Sequence, residues 1–140
     1  MSVYDNMLPV EGDRYVRRAR LRRVVDGDTV DLDVDNGFYS VLSLRVRLLD
    51  VDTPELNARE ATERRDAVEA RAFVHSWMIG ADDPERFDLA DMAHGGADDF
   101  PLLIRTKKAD SFGRWLAYIW RPEDDVDLST ALRRAGFDRP

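Results

Sequence analysis

Two Gly-containing turns divide residues 15–49 into three strand-like segments. Asp26-Gly27 and Asn36-Gly37 both favour tight turns, because glycine adopts unusual backbone angles without a steric penalty. Between them, residues 29–34 alternate strictly, with valine and leucine on one parity and aspartate on the other. Residues 15–25 and 38–49 have the composition of flanking strands. The pattern predicts a three-stranded antiparallel meander with one apolar face.

A long helix is predicted after the meander. Pro54 ends the sheet, because proline has no amide hydrogen to donate to a strand ladder. Residues 59–79 form the only long stretch without Gly or Pro, and Gly80 marks its end. Apolar residues recur there at helical spacing, which predicts one buried face made of Ala67, Ala70, Val74, Trp77 and Met78.

The last third of the chain completes the predicted fold. Strands are expected at residues 101–107 and 114–120, and a short helix at 128–135 with Asp127 as its N-cap and Gly136 beyond its end. Five strands and two helices in this order predict a mainly β, α+β domain. We expect a five-stranded Greek-key barrel of the OB type, with the long helix after the third strand and a short C-terminal helix.

The domain organisation follows from length and composition. A chain of 140 residues is long enough for one domain with its own core. We expect residues 1–13 to be an N-terminal extension and residues 14–137 to be the domain, with an acidic insertion at about 81–99. The absence of cysteine excludes disulfides, zinc–thiolate sites and a thiol nucleophile. No signal peptide or membrane-spanning stretch is apparent, so we expect a cytoplasmic protein without a membrane partner.

The charge of the chain is unevenly distributed. A formal net charge of -7 argues at first against a nucleic-acid partner. However, residues 14–23 contain six arginines and no acid, whereas residues 81–99 contain seven acids and one arginine. Because the field that steers a ligand is local, the arginine stretch can present a basic face to a polyanion. The alternative is that both stretches are ordinary solvated surfaces.

Acidic residues cluster in two short segments at predicted strand ends. Asp26-Gly27-Asp28-Thr29 is the first, and residues 50–55, with the sequence DVDTPE, are the second. A sheet can bring such carboxylates together, and oxygen donors of this kind suit Ca²⁺ or Mg²⁺. The alternative is that the first segment is only a turn and the second only a strand terminator.

Two arginines add a context for phosphate chemistry. Arg47 lies five residues before Asp52, and Arg114 begins a later strand. Phosphodiester hydrolysis needs a group that places water, a cation and positive charge against the developing dianion, and arginine binds phosphate with two parallel hydrogen bonds. A structural salt bridge from each arginine to an aspartate explains the same residues equally well.

Three segments together resemble the signature blocks of the staphylococcal nuclease (thermonuclease) family. They are residues 25–30 (VDGDTV), 47–55 (RLLDVDTPE) and 112–119 (FGRWLAYI), in the family's order and with a helix between the second and the third. Each block is weak alone, but the ordered set is specific. The resemblance covers about residues 15–137.

The resemblance implies an activity and a cofactor. Members of the family are OB-fold, Ca²⁺-dependent nucleases that act on DNA and RNA, favour single-stranded or frayed substrates and leave 3′-phosphate ends. By position, Asp28 and Asp52 would bind Ca²⁺ through their carboxylates, and Thr53 through its backbone carbonyl.

The same resemblance implies roles in catalysis. Glu55 would act as general base on the attacking water, or orient it. Arg47 would bind the scissile phosphate in the ground and transition states, and Arg114 would mainly stabilise the transition state or the leaving group. A catalytically silent OB-fold module that binds nucleic acid or protein is the alternative function.

Departures from the family pattern concern the aromatic residues and the length. Phe112 replaces a tyrosine, so it can stack on substrate but cannot donate a hydrogen bond. Tyr118 and Trp120 share one strand face, where core packing is favoured over base stacking. The chain ends earlier than classical members, which would leave a surface for a partner and leaves the oligomeric state open.

Overall fold

Five strands form a closed barrel in the computed structural model, which describes residues 16–79, 100–121 and 124–139. The order around the barrel is β1-β2-β3-β5-β4, with β1 also paired to β4, and only β3 and β5 pair in parallel. The predicted mainly β, α+β class and five-stranded barrel are confirmed. The elements in chain order are β1 (Val16–Asp26), β2 (Thr29–Asp35), β3 (Val41–Leu48), α1 (Ala61–Ile79), β4 (Leu102–Ala109), β5 (Trp115–Trp120) and α2 (Leu128–Arg134).

The interior of the barrel follows the predicted alternation. Val30, Leu32 and Val34 of β2 are buried, while the aspartates between them lie on the outer face. The five residues predicted for the buried face of the long helix are the five that α1 buries. The predicted N-terminal extension and acidic insertion lie outside the described residues.

The turn between β2 and β3 differs from the prediction. β3 begins at Val41 rather than at Phe38, because Gly37, Phe38 and Tyr39 all have positive φ angles, of 82°, 55° and 58°. The backbone N–H of Asn36 donates to the carbonyl of the residue at position 40 across this wider turn, at 2.9 Å. Both aromatic side chains are fully exposed at its tip. A local pattern of apolar residues does not show where the exposed turn ends and the strand begins.

The N-terminus of α2 also differs in detail. The side chain of Asp127 was predicted to cap the helix by accepting backbone N–H groups. Instead, its carboxylate accepts the hydroxyl of Thr130 at 2.6 Å, and it makes no side-chain capping hydrogen bond to the backbone. The hydroxyl of Thr130, three residues further along, therefore takes the place of the backbone N–H groups as the donor to this carboxylate.

The C-terminus of α2 reverses the chain toward the barrel. Gly136 has a φ of 86°, and its N–H donates to the carbonyl of Arg133 while the N–H of Phe137 donates to that of Leu132. These bonds are the Schellman arrangement, in which glycine adopts the left-handed conformation at low cost. Phe137 then packs against Phe73 of α1, with ring centroids 5.5 Å apart. The residues that follow reach the loop after β3.

The turn between β1 and β2 packs closely against the rest of the domain. A Cβ atom on Gly27 would lie 2.8 Å from Oγ1 of Thr53 and 2.9 Å from Cβ of Ala70 in α1. Glycine is needed here for lack of space, since Gly27 is not among the glycines with positive φ. This contact fixes the first acidic segment against the second.

Candidate functional site

The structure brings the two acidic segments together through Asp28. This residue lies in the turn between β1 and β2 and is only 8% exposed. Its carboxylate accepts the hydroxyl of Thr29 at 3.1 Å and the backbone N–H of Thr53 at 3.0 Å. A buried carboxylate needs such donors, because burial without them would disfavour its charged form. The two predicted strand-end clusters are therefore one structural unit.

Arg47 lies at the centre of this unit. One of its terminal nitrogens donates to the carbonyls of Leu48 at 2.5 Å and Val51 at 2.7 Å. The other is 3.3 Å from Oδ2 of Asp28 and 3.4 Å from Oδ1 of Asp52. Arg47 thus holds the loop after β3 and lies between the two proposed metal ligands. The structural salt bridge considered from the sequence is present.

Thr53 and Glu55 differ sharply in exposure. Thr53 is buried, and its hydroxyl oxygen has no hydrogen-bond partner. The side chain of Glu55 is 59% exposed, and its carboxylate lies 3.7 Å from a guanidinium nitrogen of Arg139. Glu55 is therefore accessible to solvent, and it shares a guanidinium nitrogen of Arg139 with Asp52.

Arg139 contacts the carboxylates of Asp52 and Glu55, and no sequence pattern indicated these contacts. One of its nitrogens lies 2.9 Å from both carboxylate oxygens of Asp52, and the other is 2.8 Å from Glu63 of α1. Its backbone N–H donates to the carbonyl of Asp52, whose own N–H donates to the carboxylate of Asp138. Hydrogen bonds from its guanidinium to Asp52 and Glu63 raise the pKa of Arg139. The segment after α2 is thereby attached to the site.

Arg114 directly precedes the neighbouring strand, β5. β3 and β5 pair in parallel with Arg47 opposite Leu116, and Arg114 precedes Leu116 by two residues. Because side chains alternate along a strand, Arg114 and Arg47 face the same side of the sheet. Phe112 is 81% exposed, and its ring centroid lies 5.4 Å from the guanidinium carbon of Arg114.

Asp110 orients Arg114 and was missed in the sequence. Its carboxylate accepts the backbone N–H groups of Phe112 and Arg114, both at 2.9 Å, and the guanidinium of Arg114 at 2.8 Å. Burial opposes its ionisation, but these hydrogen bonds outweigh that effect and lower the pKa of Asp110. The i, i+4 spacing of an aspartate and an arginine around Gly113 was the available signal.

Tyr118 corrects another sequence prediction. The sequence favours core packing over base stacking for Tyr118 and Trp120, but both residues are only partly buried on the outer face of β5. The hydroxyl of Tyr118 donates to the carboxylate of Asp50, a residue with a φ of 64°. Tyr118 therefore supports the loop after β3, which carries Asp52, Thr53 and Glu55.

The carboxylates of the site repel one another. Burial raises the pKa of Asp26 above its usual value, and the negative charges of Asp28 and Glu55 raise it further, while a hydrogen bond from the backbone of Leu56 and the charge of Arg71 oppose them in part. Carboxylates that share a site disfavour one another's charged forms, and a bound cation relieves that repulsion. The acidic residues of the two segments are therefore close enough for their charges to act on Asp26.

The carboxylates of Asp28 and Asp52 suit a hard cation that also binds ligands from outside this pair. Within residues 16–79, 100–121 and 124–139, no three Asp, Glu, His or Cys side chains converge as a metal cage. Asp28 and Asp52 do converge, since both lie within 3.4 Å of one nitrogen of Arg47, so positive charge already bridges them. Carboxylate oxygens are ligands that Ca²⁺ prefers, and these two would leave most of its roughly six to eight coordination positions to other ligands.

We expect Arg139→Gln to increase the affinity of the protein for Ca²⁺ several-fold. The substitution removes a positive charge that contacts Asp52 and lies beside Glu55, so a cation no longer competes with the guanidinium for them. Isothermal titration with Ca²⁺ in the absence of nucleic acid measures the change. Arg134→Gln, at another exposed arginine, is the matched control. Unchanged or weaker Ca²⁺ binding in Arg139→Gln would mean that Arg139 positions Asp52 instead.

If Arg114 stabilises the transition state of phosphodiester cleavage, as the resemblance implies, Asp110→Asn should reduce cleavage about tenfold to a hundredfold, because Arg114 would be misplaced. Asp124→Asn is the control, since Asp124 pairs with Arg121 in a similar local ion pair. Steady-state rates on a short oligonucleotide provide the comparison. Since the pKa of Asp110 is lowered, its interaction with Arg114 persists as the pH falls to the usual aspartate range. Equal rates in the two variants would contradict the positioning role.

Comparison with known proteins gives one partial similarity. No protein-family profile matches the chain. Protein ParB from Escherichia coli is 31% identical to it over 70 residues, which are 50% of this chain and 37% of that protein. The chain therefore spans little more than a third of the length of this curated relative. Within the described part of the chain, no helix has the length and apolar character needed to cross a membrane.

Proposed function

We propose that this protein is a Ca²⁺-dependent phosphodiesterase of the staphylococcal nuclease type. It would hydrolyse DNA, RNA or both, favour single-stranded or frayed substrates and leave 3′-phosphate ends. One observation carries the proposal: a single guanidinium nitrogen of Arg47 contacts both Asp28 and Asp52, with the exposed Glu55 beside them. Two carboxylates, one of the proposed catalytic arginines and an accessible base are thereby grouped, as phosphoryl transfer requires.

The barrel supports the same assignment. The strand order β1-β2-β3-β5-β4, with a parallel β3–β5 pair and closure through β1 and β4, is that expected of a five-stranded Greek-key barrel. We therefore assign the domain to the OB type, with α1 following β3. The site lies at one end of this barrel, where the turn after β1 meets the loop after β3.

The proposed metal ligands are Asp28, Asp52 and the backbone carbonyl of Thr53. When bound, Ca²⁺ would polarise a non-bridging phosphate oxygen and offset negative charge in the transition state. The protein contributes the fixed position of Asp28, which two hydrogen bonds hold in the turn after β1. Asp52 is the more adjustable ligand, since its side chain is 54% exposed.

The remaining residues would act on water and phosphate. Glu55 would accept the proton of the attacking water or orient that water, a role that suits an exposed carboxylate. Arg47 would donate hydrogen bonds to the phosphate from β3, and Arg114 from the turn before β5. Phe112 would stack on a base or sugar, since its ring is exposed and lies beside the guanidinium of Arg114.

End-group analysis tests the chemistry of the proposed reaction. A 5′-labelled single-stranded DNA oligonucleotide is incubated with the protein and Ca²⁺, and half of the products are treated with a phosphatase that removes 3′-phosphates. We expect the treated fragments to migrate more slowly in a denaturing gel, because each loses a terminal charge. Fragments whose mobility does not change would contradict the proposed product.

A binding module without catalysis is the second candidate function. It is favoured by the fact that both arginines already have protein partners: Arg47 binds two carbonyls and two carboxylates, and Arg114 is paired with Asp110. Such a module would bind a labelled oligonucleotide with steep salt dependence and would not cleave it with any divalent ion. Cleavage that requires Glu55 would exclude this candidate.

A further inference from the structure

A groove of about 550 Å³ runs between β1 and α1, beside the candidate site. Arg22 and Arg23 of β1 line one wall, and Arg71 and His75 of α1 line the other. Among the residues that the structure describes, the lining contains no Asp or Glu. The groove is therefore strongly cationic in a protein whose net charge is -7.

A bulge in β1 and the residue spacing in α1 direct these side chains into the groove. Leu21 pairs with Leu32 and Arg23 with Asp31, so Arg22 is an extra residue in β1. Such a bulge interrupts the alternation of side chains and re-aims them, and both Arg22 and Arg23 are exposed.

On the facing helix, residues spaced by three and four form one stripe. Val68, Arg71 and His75 follow this spacing, and all three are exposed. Nε of Arg71 donates to the carbonyl of Val24 at 3.2 Å, which ties the helix to the strand across the groove. Apolar surface lies between the cations, since Val24 and the 57% exposed Val68 also contribute to the lining.

The groove is continuous with the candidate site. Val24, which lines it, precedes Asp26 by only two residues. Ala70, the neighbour of Arg71 in α1, lies 2.9 Å from the position of a Cβ atom on Gly27, which immediately precedes Asp28. A polyanion whose phosphate lies at Arg47 could therefore continue past Arg71 toward Arg23.

We propose that this groove binds the sugar-phosphate backbone of a single-stranded nucleic acid that extends from the candidate site. Guanidinium groups bind phosphates and stack on bases, and apolar surface between them suits the sugars and bases of an unpaired strand. The choice of nucleic acid over another polyanion rests on the proposed function. Arg22 contributes least, because it also lies 3.5 Å from Asp33.

Oligonucleotide binding in the presence of a chelator tests the groove without cleavage. The probe is a fluorescein-labelled 15-residue oligothymidylate, and its anisotropy is measured at several salt concentrations. The groove variant is Arg23→Gln/Arg71→Gln, and the matched control is Lys107→Gln/Arg134→Gln, which removes the same charge from exposed positions away from the groove and its helix stripe. Val68→Glu is a second groove variant, at an exposed helix position that tolerates a polar residue.

We expect the groove variant to bind roughly 20-fold more weakly at 0.1 M salt and to lower the salt slope by about 1.4, since each lost phosphate contact on a single strand reduces the slope by about 0.7. The control should change binding less than threefold, and Val68→Glu should weaken it. The proposal is overturned if groove and control variants bind alike, or if the wild-type protein does not bind. Groove-dependent binding without cleavage in Ca²⁺ would refute the nuclease assignment and leave the groove proposal standing.

Discussion

Glu55→Gln is expected to reduce the cleavage rate by about two to four orders of magnitude, which is the usual contribution of a general base. Glutamine preserves the size of the side chain but cannot accept a proton from water. Because the side chain of Glu55 is 59% exposed and its closest ion-pair contact is 3.7 Å, the substitution should leave the fold intact. Single-turnover cleavage of a labelled single-stranded oligonucleotide measures the effect.

Glu63→Gln is the matched control for this experiment. Glu63 also pairs with Arg139, at 2.8 Å, but has no proposed role in catalysis. Comparing the cleavage rates of the two variants distinguishes the loss of the proposed base from the loss of an ion-pair partner of Arg139. A Glu55→Gln protein that cleaves at the wild-type rate would refute the assignment of Glu55, whatever the behaviour of Glu63→Gln.

Gly27→Ala is expected to destabilise the domain by about 1–3 kcal/mol, the usual cost of overpacking a filled site. The new methyl group would lie 2.8 Å from Oγ1 of Thr53 and 2.9 Å from Cβ of buried Ala70, so the turn, the loop or α1 must move. Because the N–H of Thr53 holds the carboxylate of Asp28, Ca²⁺ affinity should fall as well. Urea unfolding and Ca²⁺ titration measure the two effects.

Gly37→Ala provides the comparison for Gly27→Ala. Gly37 has a φ of 82° and no atom within 4 Å of an added Cβ, so its substitution strains only the backbone. That strain costs about 1–2 kcal/mol. Gly37→Ala should therefore lower stability without changing Ca²⁺ affinity. Unchanged stability and Ca²⁺ affinity in Gly27→Ala would contradict the contact on which the geometry of the site depends.

The elements that the sequence predicts well are those with a local signal. The alternation in β2 identifies a strand with one buried face, and apolar spacing in α1 identifies the five residues that are buried. Gly136 predicts the end of α2 because the reversal there requires a positive φ angle. In each case the physical cause acts within a few residues of the chain.

The elements that the sequence does not predict depend on long-range contacts or on competing local ones. Phe38 and Tyr39 have strand-like composition, yet they belong to an exposed turn whose wider hydrogen bonding excludes them from β3. Asp127 binds the hydroxyl of Thr130 in place of the helix backbone. Neither outcome can be decided from residue preferences alone.

The candidate site likewise has parts that the sequence predicts and parts that it does not. The turn after β1 and the loop after β3 are recognisable in the sequence, and the contact from Thr53 to Asp28 joins them in the structure. Arg139 lies 87 residues from Asp52 in the chain and contacts it only because α2 ends in a reversal. Nothing in the residues around Arg139 indicates that contact.

The most direct test of the proposed nuclease is a time course of cleavage on matched single-stranded and duplex oligonucleotides. Each substrate is incubated with wild-type protein in Ca²⁺, in a chelator, and in the chelator followed by excess Ca²⁺. We predict that the single strand is cleaved faster than the duplex in Ca²⁺, that the chelator stops cleavage of both, and that added Ca²⁺ restores it. Intact substrate in every Ca²⁺ reaction, or cleavage that continues at the same rate in the chelator, would contradict a Ca²⁺-dependent nuclease.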